Sequence, residues 1–273
     1  MLEIKKIAVL SELNELKKEY FEKTTSALDG MWHFGFVPMS EHFGFYVNNE
    51  LVGFCCINDD GYLLQFHLET NSDTSAQALF TLIAQQNSKV IGQVKGAFVS
   101  TAEPDYMSLC LDNSSIFKVN ALMYKQDPKV SNTQKHSFVM AMATEQQLAE
   151  YVKFASNNIG APEQWLTGYY GKLIKRKELF GYRKEGQLLA VGECRLFDEH
   201  QSDYADLGMI VAQSMRGQGI AKKVLNWLKT HASSKGLKSM CSTESDNIAA
   251  QKAIVSAGFI STNRIVQFEF NIA

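Results

Sequence analysis

Between residues 204 and 235 an apolar run, a glycine-bearing loop and an amphipathic run follow one another without a gap, and that order leaves few folds open. Tyr204 to Val211 is apolar apart from Asp206, which predicts a strand buried on both faces. Beyond the loop, Ile220, Ala221, Val224, Leu225, Trp227 and Leu228 share one side of a predicted helix that ends near Lys235-Gly236. Gly217 and Gly219 have no Cβ, so the chain there can take positive φ and let a bulky anion approach the backbone. Arg216 supplies the loop's positive charge. The first amides of the helix have no partner within it and lie at the positive end of its dipole, which makes a ready anion site. Hydrogen bonds to a charged group contribute roughly 1.5 to 3 kcal/mol each, and an exposed helix terminus about 0.3 to 1 kcal/mol. Several aimed amides would therefore outweigh the dipole. A plain strand-to-helix turn would use the same glycines for the bend alone.

Two other phosphate loops fail on these residues. A Walker-type loop ends in Gly-Lys-Ser/Thr, whereas Gly219 is followed by Ile220-Ala221. A dinucleotide fingerprint places its first glycine directly after the strand and a third glycine three residues after the second, but Gly217 is well beyond Val211 and position 222 is Lys.

The segment Arg216-Gly217-Gln218-Gly219-Ile220-Ala221 resembles the Q/R-x-x-G-x-G/A signature of the GNAT acetyltransferases, the acyl-CoA-dependent N-acetyltransferases. Downstream, Asn247-Ile248-Ala249-Ala250-Gln251-Lys252-Ala253-Ile254-Val255-Ser256-Ala257-Gly258-Phe259 resembles the second signature of that family, an Asn leading a helix that closes on Gly-Phe. A predicted strand, Ser239 to Thr243, lies between them, and the resemblance covers roughly residues 136 to 273.

A search for internal repeats gives three anchors in one order. Ser100-Thr101 precedes Phe117 at the spacing with which Ser242-Thr243 precedes Phe259. Leu51-Val52-Gly53 matches Ala190-Val191-Gly192, each after a turn, and Ile7 to Ser11 resembles Met140 to Thr144, a strand running into a helix cap. The fold expected is therefore α/β (α+β), with two GNAT-like domains, each a mixed, mostly antiparallel central sheet flanked by helices. The join is placed at Asp127 to Gln134, a polar stretch with Pro128. It separates a degenerate domain, 1–130, from an acetyltransferase domain, 131–273. The N-terminal counterpart of the loop, Glu69 to Ser75, has no glycine, Lys or Arg and two acids. It can cap a helix through Asp73, Thr74 or Ser75 but would repel a diphosphate, so no cofactor site is expected there.

After the join the pattern predicts a strand over Phe138 to Ala143 and a capping box at Thr144-Glu145-Gln146-Gln147. A helix from Pro162 and a hairpin around Glu185-Gly186 follow. The aromatic segment Met31 to Tyr46 reads as packing or as a pocket wall. The charge run Lys172 to Glu178 reads as a solvated helix face.

Composition narrows the partners. The 273 residues are 45% hydrophobic with net charge -2 and pI near 6.3, so no global basic field argues for nucleic acid or an anionic membrane. Cys55, Cys56, Cys110, Cys194 and Cys241 form no CxxC pair, which argues against a metal site or a disulfide framework and for a reduced, cytoplasmic protein. No apolar run approaches ~18 residues, and the oligomeric state is not fixed by any residue.

The resemblance implies acetyl-CoA as co-substrate and a primary amine of a small molecule or peptide as acceptor. It also implies that Met209-Ile210-Val211 splays from the neighbouring strand and that the backbone groups of Ile210 and Val211 pair with the pantetheine arm. Residues 216 to 221 would grip the diphosphate, and Asn247, which also suits a helix N-cap, would touch the cofactor. The proton route departs from the family pattern: Ile254 stands where many relatives have Tyr, Ser242 where some have a general-base Glu, and Ala205 and Leu207 at further positions used. Glu244, two residues beyond Ser242 on the same strand face, is the expected base, with Glu193 and Asp206 as substitutes. Cys241 could suggest an acyl-enzyme, but a buried strand cysteine is usually inert. A non-catalytic acyl-CoA-binding module is the alternative, and a longer acyl donor stays open.

Overall fold

The computed structural model describes residues 2–130 and 138–271. The chain divides into two compact units, Met1–Leu122 with Asn263–Ala273, and Met123–Thr262. Residues 131–134 of the expected join lie outside the described residues.

The first unit contains β1 (Leu2–Ile7), α1 (Asn14–Glu22), β2 (Glu41–Val47), β3 (Glu50–Ile57), β4 (Tyr62–Leu68), α2 (Ala76–Ala84), β5 (Gly96–Ser100), α3 (Pro104–Asp112) and the start of β6 (Ile116–Gln126). The second follows the same order: β7 (Ala141–Met142), α4 (Leu148–Ile159), α5 (Glu163–Lys175), β8 (Leu179–Lys184), β9 (Gln187–Leu196), β10 (Tyr204–Val211), α6 (Ile220–Ser234), β11 (Lys238–Glu244), α7 (Ile248–Ser256) and the start of β12 (Phe259–Glu269). Where the second unit has α5, the first has a π-helical turn, Trp32–Phe36, and a 3-10 turn, Val37–Met39.

Each unit is a mixed, mostly antiparallel sheet. In the first, β1-β2-β3-β4 pair antiparallel, β4 pairs β5 in parallel, and β5 pairs antiparallel with residues 265–269 of β12. In the second, β7-β8-β9-β10 pair antiparallel and β10 pairs β11 in parallel. Both hairpins of corresponding position, β2-β3 and β8-β9, turn on two left-handed residues, Asn48-Asn49 and Glu185-Gly186. This geometry matches the twist of the flanking strands.

The local signals have local causes. The Ser75 side chain accepts from the Ala78 amide at 3.2 Å and starts α2. Thr144 and Gln147 make both arms of the capping box ahead of α4. Pro162 is the N-cap of α5. The expected strand Phe138 to Ala143 is shorter than its apolar pattern: only Ala141–Met142 joins the ladder. Phe138 reaches β8 through its ring instead, stacked on Tyr182 with centroids 4.2 Å apart.

Phe43, Phe45, Phe66, Phe80 and Phe268 anchor the core of the first unit. Tyr151, Leu166, Tyr170, Val191 and Ile210 anchor α4 and α5 on the second sheet. Each such side chain contributes about 1.5 to 3 kcal/mol by leaving water. No helix among the described residues is long and apolar enough to cross a membrane.

Candidate functional site

The parallel pairing of β10 with β11 stops early. It joins Tyr204 to Lys238, Ala205 to Ser239 and Asp206 to Met240, while β10 keeps its pairing to β9 as far as Val211. From residue 207 onward one edge of β10 is therefore open. The direction of its peptide groups follows from the ladder ends. Lys238 donates to the Asp203 carbonyl on the β11 side, and Ala212 donates to Leu189 on the β9 side. With a period of two, Met209 and Val211 turn their backbone groups to the open edge. The expectation for Ile210 is corrected: its peptide groups belong to the β9 ladder, because successive residues of a strand turn to opposite edges, and its side chain packs in the core beneath.

A cleft of about 920 Å³ occupies this splay, large enough for an extended organic ligand. Its wall contains Met209, Ile210 and Val211 from β10, Arg216, Gly217, Gly219, Ile220 and Ala221 from the loop and helix start, and Glu244 and Asn247 from the β11–α7 connection. Gln218 belongs to the same loop, where its side-chain amide contacts Ser214 and Met215.

Gly217 and Gly219 have φ of 77° and 74°, and a Cβ at either would meet no atom within 4 Å. The glycines are thus required by backbone conformation, which L side chains adopt at a cost, and not by packing. The space they leave is open. Gly219 is the N-cap of α6 and offers no side-chain cap, so the amides that begin the helix have no partner within it. The charge pattern there is unusual. Helices α1, α3, α4 and α5 carry an acid in the first turn, as the dipole favours. Helices α2 and α7 have neither acid nor base in the first turn, whereas that of α6 has no acid and carries Lys222 and Lys223. Lys222 also lines the cleft.

Arg216 folds back onto the main chain. Its Nη2 donates to the Asn158 carbonyl at 2.7 Å and its Nε to the Val211 carbonyl at 3.3 Å. The Gln213 amide donates to Asn158 Oδ1 at 2.8 Å. These bonds fasten the loop to the C-terminal end of α4.

Asn247 is the N-cap of α7, its Oδ1 accepting from the Ala250 amide at 3.1 Å, and its side-chain amide nitrogen is the group left over. The other end of α7 is tied down by Lys229 of α6, which donates to the Ala257 carbonyl at 2.8 Å. Glu244 is exposed at the end of β11 and is the carboxylate among the described residues lining the cleft. No Tyr, His or Cys among the described residues lines it. Ile254 is buried in α7, and Cys241 is buried and in no disulfide.

Glu193 and Asp206 are engaged elsewhere. Both are buried, and Arg195 holds them: its Nη1 donates to Glu193 at 2.5 Å and its Nη2 to Asp206 at 2.7 Å. Tyr169 of α5 donates to Glu193 at 2.7 Å and accepts from Arg195 at 2.9 Å. Burial pushes the Tyr169 phenol well above its ordinary range, so it stays protonated. This cluster packs on β10 at Gly208, where a Cβ would lie 3.0 Å from both Arg195 and Glu193. It braces the strand below the splay and does not line the cleft.

Sequence reasoning missed Lys222, Lys252 and the end of α4 at Asn158 and Ile159, all in the cleft wall. The Lys-Lys pair at a helix start was a signal available in the sequence.

Comparison with protein families matches residues 9–127 to the acetyltransferase (GNAT) domain and residues 126–259 to the acetyltransferase (GNAT) family. Among solved structures, an acetyltransferase from the GNAT family of Colwellia psychrerythraea is 65% identical, with 98% of this chain and 100% of that chain covered and a TM-score of 0.93. The chain belongs to the GNAT acetyltransferase family. Its GNAT fold is shared, at 10% identity, by a GCN5-related N-acetyltransferase from Sphaerobacter thermophilus, covering 98% of this chain and 95% of that one with a TM-score of 0.66. A tandem GNAT protein from the clavulanic acid biosynthesis pathway is 11% identical, covers 98% of each chain and has a TM-score of 0.63. A search of the curated proteins found no match. Both units thus correspond to GNAT domains, and the family implies acyl transfer.

Proposed function

We propose that the protein is an acetyl-CoA-dependent N-acetyltransferase that modifies a primary amine of a small molecule or peptide, with its chemistry in the second unit. The observation that carries this reading is the uncapped, glycine-flanked, lysine-bearing start of α6 beside the open edge of β10. Backbone amides of residues 217 to 221, with Arg216 and Lys222, suit the diphosphate of the coenzyme. Met209 and Val211 suit the pantetheine arm, because an open strand edge pairs with amide groups as a neighbouring strand would. Ile210 shapes the wall between them, and the Asn247 amide nitrogen adds a donor. When bound, acetyl-CoA supplies the activated acetyl thioester.

Acceptor chemistry falls to Glu244. A carboxylate in the cleft wall can take, directly or through water, the proton that the amine nitrogen sheds as it is acylated. The departing coenzyme A thiolate takes its proton from solvent.

Calorimetry with coenzyme A tests the cradle. Uptake by the native protein, weakened at least tenfold by Gly217→Val or Gly219→Val, supports it; uptake indifferent to both substitutions removes it. The rival reading, a non-catalytic acyl-CoA-binding module, draws on Ile254 standing where many relatives have Tyr. A panel of small amines, amino acids and peptides separates the two, since thioester cleavage on any acceptor excludes the rival.

A further inference from the structure

The charged cluster around Arg195 stands where β10 leaves its neighbour. Asp206 is the last residue of β10 paired with β11, opposite Met240. From Leu207 onward only β9 holds the strand. In that ladder Arg195 faces Asp206 and Glu193 faces Gly208, so the four residues occupy one patch on one face of the sheet. Arg195 grips Asp206 through Nε at 3.1 Å and Nη2 at 2.7 Å, and Glu193 through Nη1. Gly208 leaves the space that this fork fills, since a Cβ there would stand 3.0 Å from both side chains. The Tyr169 phenol ties α5 into the same patch.

The first unit builds the same strand pair without these charges. Extending the match of Leu51-Val52-Gly53 with Ala190-Val191-Gly192 puts Phe54 at the position of Glu193 and Cys56 at that of Arg195. Their partners across the β3–β4 ladder are His67 and Gln65. All four are buried, none is Lys or Arg, and burial pushes His67 down to about 4, so it is neutral at pH 7. Cys56 and Gln65 are joined by a weak contact of 3.9 Å. The neutral quartet thus belongs to the unit whose loop, Glu69 to Ser75, has no glycine and no base. The charged quartet belongs to the unit with the anion loop.

Buried ions cost more than apolar packing of the same volume, but a planar guanidinium fork fixes direction where apolar contacts leave strands free to adjust. We propose that Arg195 is a positioning residue for the coenzyme. By clamping Asp206 and Glu193 it sets the twist of β10 where the strands part, so that the Met209 and Val211 peptide groups meet the pantetheine arm in register. It acts through the strand, because it does not line the cleft. This role rests on the reading of the cleft as a coenzyme site. The diphosphate cradle at residues 216 to 221 lies past the end of the strand and does not depend on the clamp.

The full chain is titrated by calorimetry with coenzyme A and with 3′-phosphoadenosine 5′-diphosphate, which keeps the phosphates and lacks the pantetheine arm. We expect the native chain to bind both. Arg195→Lys and Asp206→Asn should weaken coenzyme A at least tenfold and the shorter probe less than twofold, whereas a general loss of structure would weaken both alike. Should these variants not fold, Tyr169→Phe decides: it keeps the packed ring, removes the two bonds of the phenol, and should weaken coenzyme A alone, at least threefold. Equal losses for the two probes, or undiminished coenzyme A uptake in every folded variant, would overturn the clamp and leave the cleft a coenzyme site. A native chain that takes up neither probe would instead overturn the reading beneath it.

Discussion

The guanidinium of Arg216 donates to the main-chain carbonyl of Asn158 at 2.7 Å. An arginine that the sequence presents as the charge of an anion loop is thus also the fastener that joins this loop to the last turn of α4. The same side chain reaches the Val211 carbonyl at the open end of β10. It couples three elements of the cleft wall.

We therefore expect Arg216→Ala to reduce coenzyme A affinity about tenfold, or ~1.4 kcal/mol, through loop disorder as well as lost charge. Arg216→Lys should recover little, since a single ammonium does not reproduce the fork that meets two carbonyls. Calorimetry on the two variants checks this; recovery by Lys would show that charge alone matters.

Glu244→Gln should lower kcat at least tenfold while leaving coenzyme affinity within twofold. Steady-state kinetics beside calorimetry read both. An unchanged kcat would remove Glu244 from the proton route and return attention to solvent.

Asn247 carries a cap and a proposed ligand contact, and substitutions can separate them. Asn247→Asp keeps the Oδ1 acceptor for Ala250 and loses the amide donor, so stability should hold while coenzyme affinity falls. Asn247→Ala should lose both, at about 1 kcal/mol of stability for the cap. Thermal melts beside calorimetry resolve the two losses; a destabilised Asp variant with intact affinity would contradict the assignment.

Burial pushes the Glu103 carboxyl up to about 7 from an ordinary 4.5, against the opposing bonds from Tyr20 and Ser100. Between these values the folded chain keeps a proton that the unfolded chain has released, so the contribution of this group falls as pH rises from 4.5 through 7. The loss is on the order of 3 kcal/mol. Chemical denaturation at pH 5 and pH 8 should show Glu103→Gln stabilised relative to native at pH 8 and not at pH 5. A constant difference would mean that Glu103 is already compensated.

Much of this was legible in the sequence, for identifiable reasons. The β10-loop-α6 passage and the capped helices at Ser75 and Thr144 depend on short-range signals that sequence carries directly. The strand before α4 did not match because an apolar run reports burial rather than pairing: Phe138 is buried through its ring while its backbone stays out of the ladder. Nor does local sequence say which sheet a strand will join. Residues 259–262 of β12 belong with the second unit and residues 263–269 with the first. Around the cleft, side-chain directions were not readable, as the inward turn of Arg216 and the Arg195 cluster around Glu193 and Asp206 show. The aromatic segment from Met31 divides in the structure, with Trp32 and His33 in a cavity wall and Phe43 and Phe45 in the core.

A helix that opens with Lys222 and Lys223 and no side-chain cap lacks a counter-charge of its own. Its first turn should fray soonest when nothing anionic is at hand, and amides near residue 220 should then exchange with solvent fastest among the helix starts. An anion held there at a hundred times its dissociation constant would add about 2.7 kcal/mol to the fold, so the persistence of this protein would track the supply of the molecule that completes it.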